Sequence, residues 1–196
     1  MNDLRDKIRN YLAIQVYAGF ASEQEIVARA IDDWEETAEE EQSAEELRPF
    51  IERTTAELLE EHRKEQASWP AVTDCDRLDA TFVELDRMGI LARQNYEQTL
   101  TSGCAAIEAE AERERANRPV LGYVFFHEQD TETGVCYDGP ALAWGAFDDA
   151  DESWRHVAQT ILEVLNRHGL SAEWCGKFNS RIIINGMNWQ RRREGS

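Results

Sequence analysis

His127, Glu128 and Asp130 stand together where the apolar run VLGYVFFHE ends. A strand ending there exposes its terminal side chains, and a histidine oriented by a carboxylate is the commonest general base, so His127 with Asp130 forms one candidate catalytic pair. The plainer alternative is a hydrogen-bonded structural histidine at a strand end. No nucleophile is marked beside it, because the chain has no GxSxG, HExxH, GxGxxG or Walker loop. A second constellation is Asp74, Asp76 and Asp79, carboxylates that suit a divalent cation able to activate water. The same residues fit the first turns of a helix capped by Thr73, where carboxylates offset unsatisfied N–H groups. The segment lacks the ligand alternation and glycine of an EF-hand.

The third constellation is one of charge. Between Asp32 and Glu46 stand the acids Asp32, Asp33, Glu35, Glu36, Glu39, Glu40, Glu41, Glu45 and Glu46, with no base among them. Such a run serves either as a solvated surface or as a docking face for a basic partner, since dense like charge raises association rates and discriminates by sign. Asp32, Asp33, Glu35, Glu36, Glu39 and Glu40 are the candidate binding residues. Arg191, Arg192 and Arg193 at the far end of the chain are the natural intramolecular counter-charge: they fold back on the run or form a short solvated tail.

The whole composition points the same way. The 196 residues carry 21 bases against 39 acids, a net charge of -18, which excludes non-specific nucleic-acid binding and attraction to anionic lipid. The helical front holds the denser share: residues 1–70 have 18 acids and 8 bases, and residues 71–196 have 21 and 13. No apolar stretch approaches the roughly 18–20 residues of a membrane span, and the N-terminus has no uninterrupted signal-type apolar region, so a cytoplasmic location is expected. Cys75, Cys104, Cys136 and Cys175 form no CxxC and read as reduced thiols. The apolar and aromatic neighbours of Cys136 and Cys175 predict inert, buried groups.

Positioning these residues requires a fold, and the length suffices to bury roughly 70% of the unfolded surface. Leu4, Ile8, Tyr11 and Leu12 predict a first helix ending near Gly19. Ser22 with Glu25 is a capping box before the stripe Ile26, Val27, Ala30, Ile31 and Trp34. Ser43 with Glu46 offers another box, although Pro49 argues for a later start to the helix carrying Leu47, Ile51 and Leu58. A helix from Thr73 to Gly89 follows, then a strand over ILARQNYE, a helix from Leu100 to Asn117, and VLGYVFFHE as the central buried strand. Thr133-Gly134 predicts a turn, ALAWGAF a strand, and Trp154, Val157, Ile161 and Leu165 a helix. SAEWCG and RIIING close the fold as a hairpin around KFNS. The order predicts an α+β fold with a largely antiparallel sheet, residues 71–196, preceded by an acidic helical region, residues 1–70.

The segment WPAVTDCDRLDATFVELDRMGILARQN, with GYVFFHEQDTE, LAWGAF, VAQTILEVLNRHGLSAEW and NWQRRR, resembles an uncharacterised bacterial family, domain of unknown function 6891. The resemblance covers nearly everything after residue 68 and is weaker before it; it implies no activity. It does imply a cysteine-rich segment after Arg-Gln-Asn: Phe, any residue, Cys-Cys, two residues, then Cys-Gly-His, a set able to bind metal or do redox work. Here Gln98 and Thr99 stand at the paired cysteines, Ser102 at the third and Cys104 at the histidine, with Asn95, Tyr96 and Gly103 retained in kind. Gln and Thr are poor zinc ligands, so no metal and no cofactor is carried over.

The leading expectation is therefore a non-enzymatic acidic module that binds a basic protein, with inhibition of a basic toxin or nuclease (an immunity-type role) as its concrete form. The alternative is a small hydrolase-like enzyme using His127 and Asp130 or the Asp74 to Asp79 carboxylates. A degenerate metalloprotein kept for structure is a third class.

Overall fold

Ser22 donates its backbone N–H to the Glu25 carboxylate at 2.7 Å and accepts the Glu25 N–H on its hydroxyl at 3.3 Å, so the helix start read from the sequence is built as a reciprocal cap. In the computed structural model, residues 2–37, 44–148 and 150–193 are described, with side chains described at 4–34, 47–148 and 150–193. The described chain contains α1 (Asn2–Ala18), α2 (Glu23–Thr37), α3 (Ala44–Gln66), α4 (Asp74–Arg87), β1 (Ile90–Arg93), α5 (Leu100–Glu114), β2 (Gly122–Phe125), α6 (Glu128–Cys136), β3 (Ala141–Ala146), α7 (Asp151–Arg167), β4 (Ser171–Glu173) and β5 (Ile182–Asn185). It is an α+β fold that forms two compact units, one of Met1–Ala71 with the segment from Gln190, the other of Val72–Trp189.

The helical unit is a three-helix assembly around Ile8, Leu12 and Val16 of α1, Ile26, Ala30 and Ile31 of α2, and Leu47, Ile51 and Leu58 of α3. Each set repeats at three or four residues, the spacing that gathers apolar groups on one helix face. Pro49 lies inside α3, which begins at Ala44 and not at the proline; the cost is one backbone hydrogen bond near the N-terminal end of a 23-residue helix. His62 is buried among rings, 5.2 Å from Tyr17 and 5.1 Å from Trp69, both edge to face. Its Nε2 has no hydrogen-bond partner among the described residues, and burial followed by the nearby Arg193 charge lowers its pKa.

The C-terminal arginines belong to this unit and fold back on it, but at the end of α1. Arg193 donates through Nη1 to the Val16 carbonyl at 3.1 Å and through Nη2 to the Ala21 carbonyl. α1 has no basic residue in its own last turn, so Arg193 supplies the cation and the donors that its final carbonyls lack. Arg191 stacks 4.2 Å from the centre of the Phe20 ring, and Arg192 donates to the Pro70 carbonyl. Gly19, at φ +78°, ends α1, and a side chain there would meet Arg191 Cγ at 2.7 Å.

In the second unit five strands run in the order β1-β2-β3-β5-β4. Only β1 and β2 are parallel; the remaining pairs are antiparallel. VLGYVFFHE is thus an internal strand, β2, but the centre is β3, because β1 rather than a returning hairpin lies on the other side of β2. Register puts Leu91, Tyr123 and Gly145 side by side, with Arg93, Phe125 and Ala143 on the same face two residues along. α5 covers this face with Ile107 and Ala111. α4 and α7 pack together on the sheet, α4 along β1 and α7 across β2, β3 and β4. Gly103 permits the close approach of α5: a Cβ there would lie 2.4 Å from the Phe125 ring.

Two sequence expectations change in this unit. The strand over ILARQNYE stops at Arg93, and Thr133-Gly134 is no turn but the interior of α6. EQDTETGVC has no apolar periodicity; its helix rests on its first-turn cap and on Gly134, where a side chain would strike the Trp189 ring at 2.8 Å. The β4 and β5 hairpin forms as expected, beneath Trp144, Trp154, Trp174 and Phe178.

Candidate functional site

The parallel strands β1 and β2 bring Asn95, Thr131, His127 and Asp130 to one end of the sheet, where Arg181 arrives from the start of β5, paired with β3. The backbone between β1 and α5 continues the pairing irregularly: Phe126 donates to the Arg93 carbonyl at 3.3 Å, Tyr96 to the Phe126 carbonyl at 2.9 Å and Glu128 to the Glu97 carbonyl at 3.0 Å. Holding this path requires positive φ at Asn95, 49°, and at Glu97, 60°. Both are non-glycine residues, and such outliers persist where surrounding contacts over-determine them. At Asn95 that contact is the Thr131 hydroxyl, which donates to its Oδ1 at 2.7 Å.

His127 is the N-cap of α6. Its Nδ1 accepts the Asp130 N–H at 3.3 Å, and the Asp130 carboxylate accepts the His127 N–H at 3.2 Å. The ring is therefore the Nε2–H tautomer, with Nε2 3.1 Å from Asp130 Oδ2. Burial, helped by the Arg181 charge, outweighs the attraction of Asp130 and lowers the imidazole pKa. Arg181 donates through Nη2 to both Asp130 Oδ2 and the Ala141 carbonyl, tying α6 to β3. His127 and Asp130 thus come together as the sequence suggests, but as a buried cap with an ion pair behind it. The only lone pair on the ring is already engaged by backbone. Arg181 is not among the candidates the sequence suggests; its signal is a lone arginine opening an apolar strand, which must find a counter-charge.

The positions at which the family resemblance implies cysteines follow the Asn95 to Glu97 loop, and Thr99 and Ser102 form a helix cap there. The Thr99 hydroxyl accepts the Ser102 N–H at 3.2 Å and the Ser102 hydroxyl accepts the Thr99 N–H at 3.2 Å, a reciprocal box that starts α5. Cys104 faces Tyr123, and burial pushes its thiol up while Tyr123 is held at about 12 by burial as well. Cys136 and Cys175 are exposed, contrary to the burial expected from their neighbours, because α6 ends at Cys136 and Cys175 follows the edge strand β4. Cys75 is the buried thiol, and the Cys175 thiol is pulled down by the Ser180 hydroxyl and the Lys177 N–H.

The Asp74 to Asp79 carboxylates do not converge. Asp76 closes the Thr73 cap, Asp74 takes Arg77 on Oδ1 and the Asn188 N–H on Oδ2, and Asp79 accepts from Gln94 at 2.8 Å. Among the described residues no group of three or more His, Cys, Asp or Glu is placed to hold a metal.

Of the acidic run, Asp32 and Asp33 are exposed on α2. Glu35 and Glu36 belong to α2, their side chains outside the described set; Glu39 and Glu40 lie outside the described residues, as does the Ser43 cap. Arg193 reaches Ala21, before α2 begins, whereas Asp32 is nine residues into that helix, about 14 Å along its axis. Other bases of this unit meet acids of α3: Arg9 approaches Glu57 and Glu61, Arg48 Glu52, Arg53 Glu57, and Arg63 and Lys64 Glu60.

No helix among the described residues is long and apolar enough to cross a membrane. Comparison with curated proteins and with solved structures gives no match. A family profile does match, over residues 1–193, and with nearly the whole length covered the chain belongs to the family described as Domain of unknown function (DUF6891).

Proposed function

We propose that the protein is a non-enzymatic module that binds a basic protein through the acidic segment from Asp32 to Glu46, with inhibition of a basic toxin or nuclease as the concrete form of that role. The observation carrying this reading is a run of nine acids without a base, in a unit where Arg193 donates to the Val16 and Ala21 carbonyls. Concentrated like charge destabilises the free helix pair by self-repulsion, and a cationic partner offsets it while gaining rate and sign selectivity. The docking residues are Asp32, Asp33, Glu35, Glu36, Glu39 and Glu40. A cytoplasmic, bacterial setting belongs to the same proposal.

The test is affinity capture from native lysate at about 50 and 500 mM salt, where screening lengths differ severalfold. A basic protein retained at low salt and released at high salt supports docking. Retention that is insensitive to salt, or retention of acidic or neutral proteins only, contradicts it.

A further inference from the structure

A cleft of about 300 Å³ opens beside the first turns of α7, lined by the apolar Leu121, Phe147 and Val157 and by the polar Arg115, Asp148 and His156. This volume is at the lower end of the roughly 300–1,000 Å³ typical of small-molecule sites, a size for a metabolite rather than a nucleotide. The Arg115 guanidinium lies 4.6 Å from the centre of the Phe147 ring, a cation–π contact that leaves its N–H groups able to donate to an acceptor. Ion pairs in this unit engage Arg77, Arg93, Arg118, Arg167 and Arg181, and none among the described residues engages Arg115. Asp148 is fixed in place: Oδ1 accepts the Ala150 N–H at 2.9 Å and Oδ2 accepts the Ser153 hydroxyl at 3.1 Å. Each carboxylate oxygen keeps a further lone pair.

A held guanidinium and a held carboxylate that do not pair with each other, with apolar surface in the same cleft, match a molecule carrying both charges. The net charge of -18 opposes an anion, whereas a zwitterion has no net charge and enters against no such field. We infer that this cleft binds a free α-amino acid with an apolar side chain, its carboxylate on Arg115, its ammonium on Asp148 and its side chain against Leu121, Phe147 and Val157. This site lies in the second unit and is independent of the acidic run.

Backbone amide NMR of the full chain, titrated with L-leucine, L-methionine and L-phenylalanine, tests the inference. At least one should give saturable shifts centred on Leu121, Phe147 and Ser153 to Val157, with Kd in the millimolar range or tighter. The R115Q variant, changed at an exposed position, should keep the remaining spectrum and bind at least about tenfold more weakly, a loss near 1.4 kcal/mol. On the unaltered chain, the N-acetyl derivative, which lacks the ammonium, and the amide, which lacks the carboxylate, should each lose a similar factor. Absence of saturable shifts with all three amino acids up to about 10 mM, a weak limit of useful affinity, overturns the inference. So does equal binding of either derivative, which would mark a site for a simple anion or cation, and so does undiminished binding by R115Q.

Discussion

His127 Nδ1 accepts the Asp130 N–H, so the lone pair a general base would use is spent on starting α6. Substitution should therefore act on stability. H127A should lower the unfolding free energy by about 1–3 kcal/mol, from the lost cap and the space left by a buried ring, and H127N should recover part of it because asparagine is a strong N-cap. Urea unfolding of the two variants checks this, and equal losses in both would remove the cap from the account. Buried His62 gives a second residue-level prediction. Its folded pKa is below the ordinary value of 6.5, as is that of His127, so below pH 6.5 the unfolded chain binds more protons than the folded one. Stability should be complete above pH 6.5 and decline as pH falls from there towards the folded pKa values. The carboxylates Glu84 and Asp86, also held low, retain their contribution until more acidic pH, so the interval from about 6.5 to 5 reports the histidines. In H62F the slope of unfolding free energy against pH over that interval should be shallower; an unchanged slope would assign the titration elsewhere.

Elements differ in how far their own sequence announces them. α1, α2 and α7 carry apolar stripes at helical spacing, and the caps at Ser22 and Thr73 stand where local residue types put them. β5 and β3 are legible from continuous apolar runs. α6 was hidden because its stabilising groups are His127 outside it and Trp189, distant in sequence. The exposure of Cys136 and Cys175 departs from the sequence expectation for a related reason: apolar neighbours in sequence say little at a helix end or beside an edge strand. Of the candidate site, the pairing of His127 with Asp130 was visible from their spacing, while Arg181 and Asn95 arrive through the sheet and the loop before α5. The arginine tail shows the same limit, since nothing local says that Arg193 closes α1. R193A should destabilise the helical unit by about 1–2 kcal/mol, and hydrogen exchange should quicken at the last turn of α1. Lysine at this position, with one ammonium in place of a fork, should restore only part. Wild-type exchange rates in R193A would contradict the assignment.

At the scale of the molecule there are two compact units: a helical unit that carries the acidic run and a sheet unit that carries the polar cap cluster and the cleft beside α7. The sheet unit keeps its strands, covering helices and aromatic cluster within residues 72–189, a length typical of an independent domain. That fragment should unfold in one cooperative transition with dispersed amide resonances; an aggregated or collapsed fragment would show that its core needs the helical unit. In the proposed docking role the acidic run acts through charge, and charge can be removed without touching a core. The most direct measurement is the Kd of a recovered basic partner for two variants of equal net charge. In the first, Glu35, Glu36, Glu39 and Glu40 become Gln; in the second, the exposed Glu108, Glu112, Glu132 and Glu163 of the sheet unit become Gln. The docking account predicts at least about tenfold weaker binding and a flatter salt dependence for the first, and near wild-type values for the second. Equal loss in both would show that only the net charge of the chain attracts the partner, and unchanged binding in the first would contradict the docking face itself.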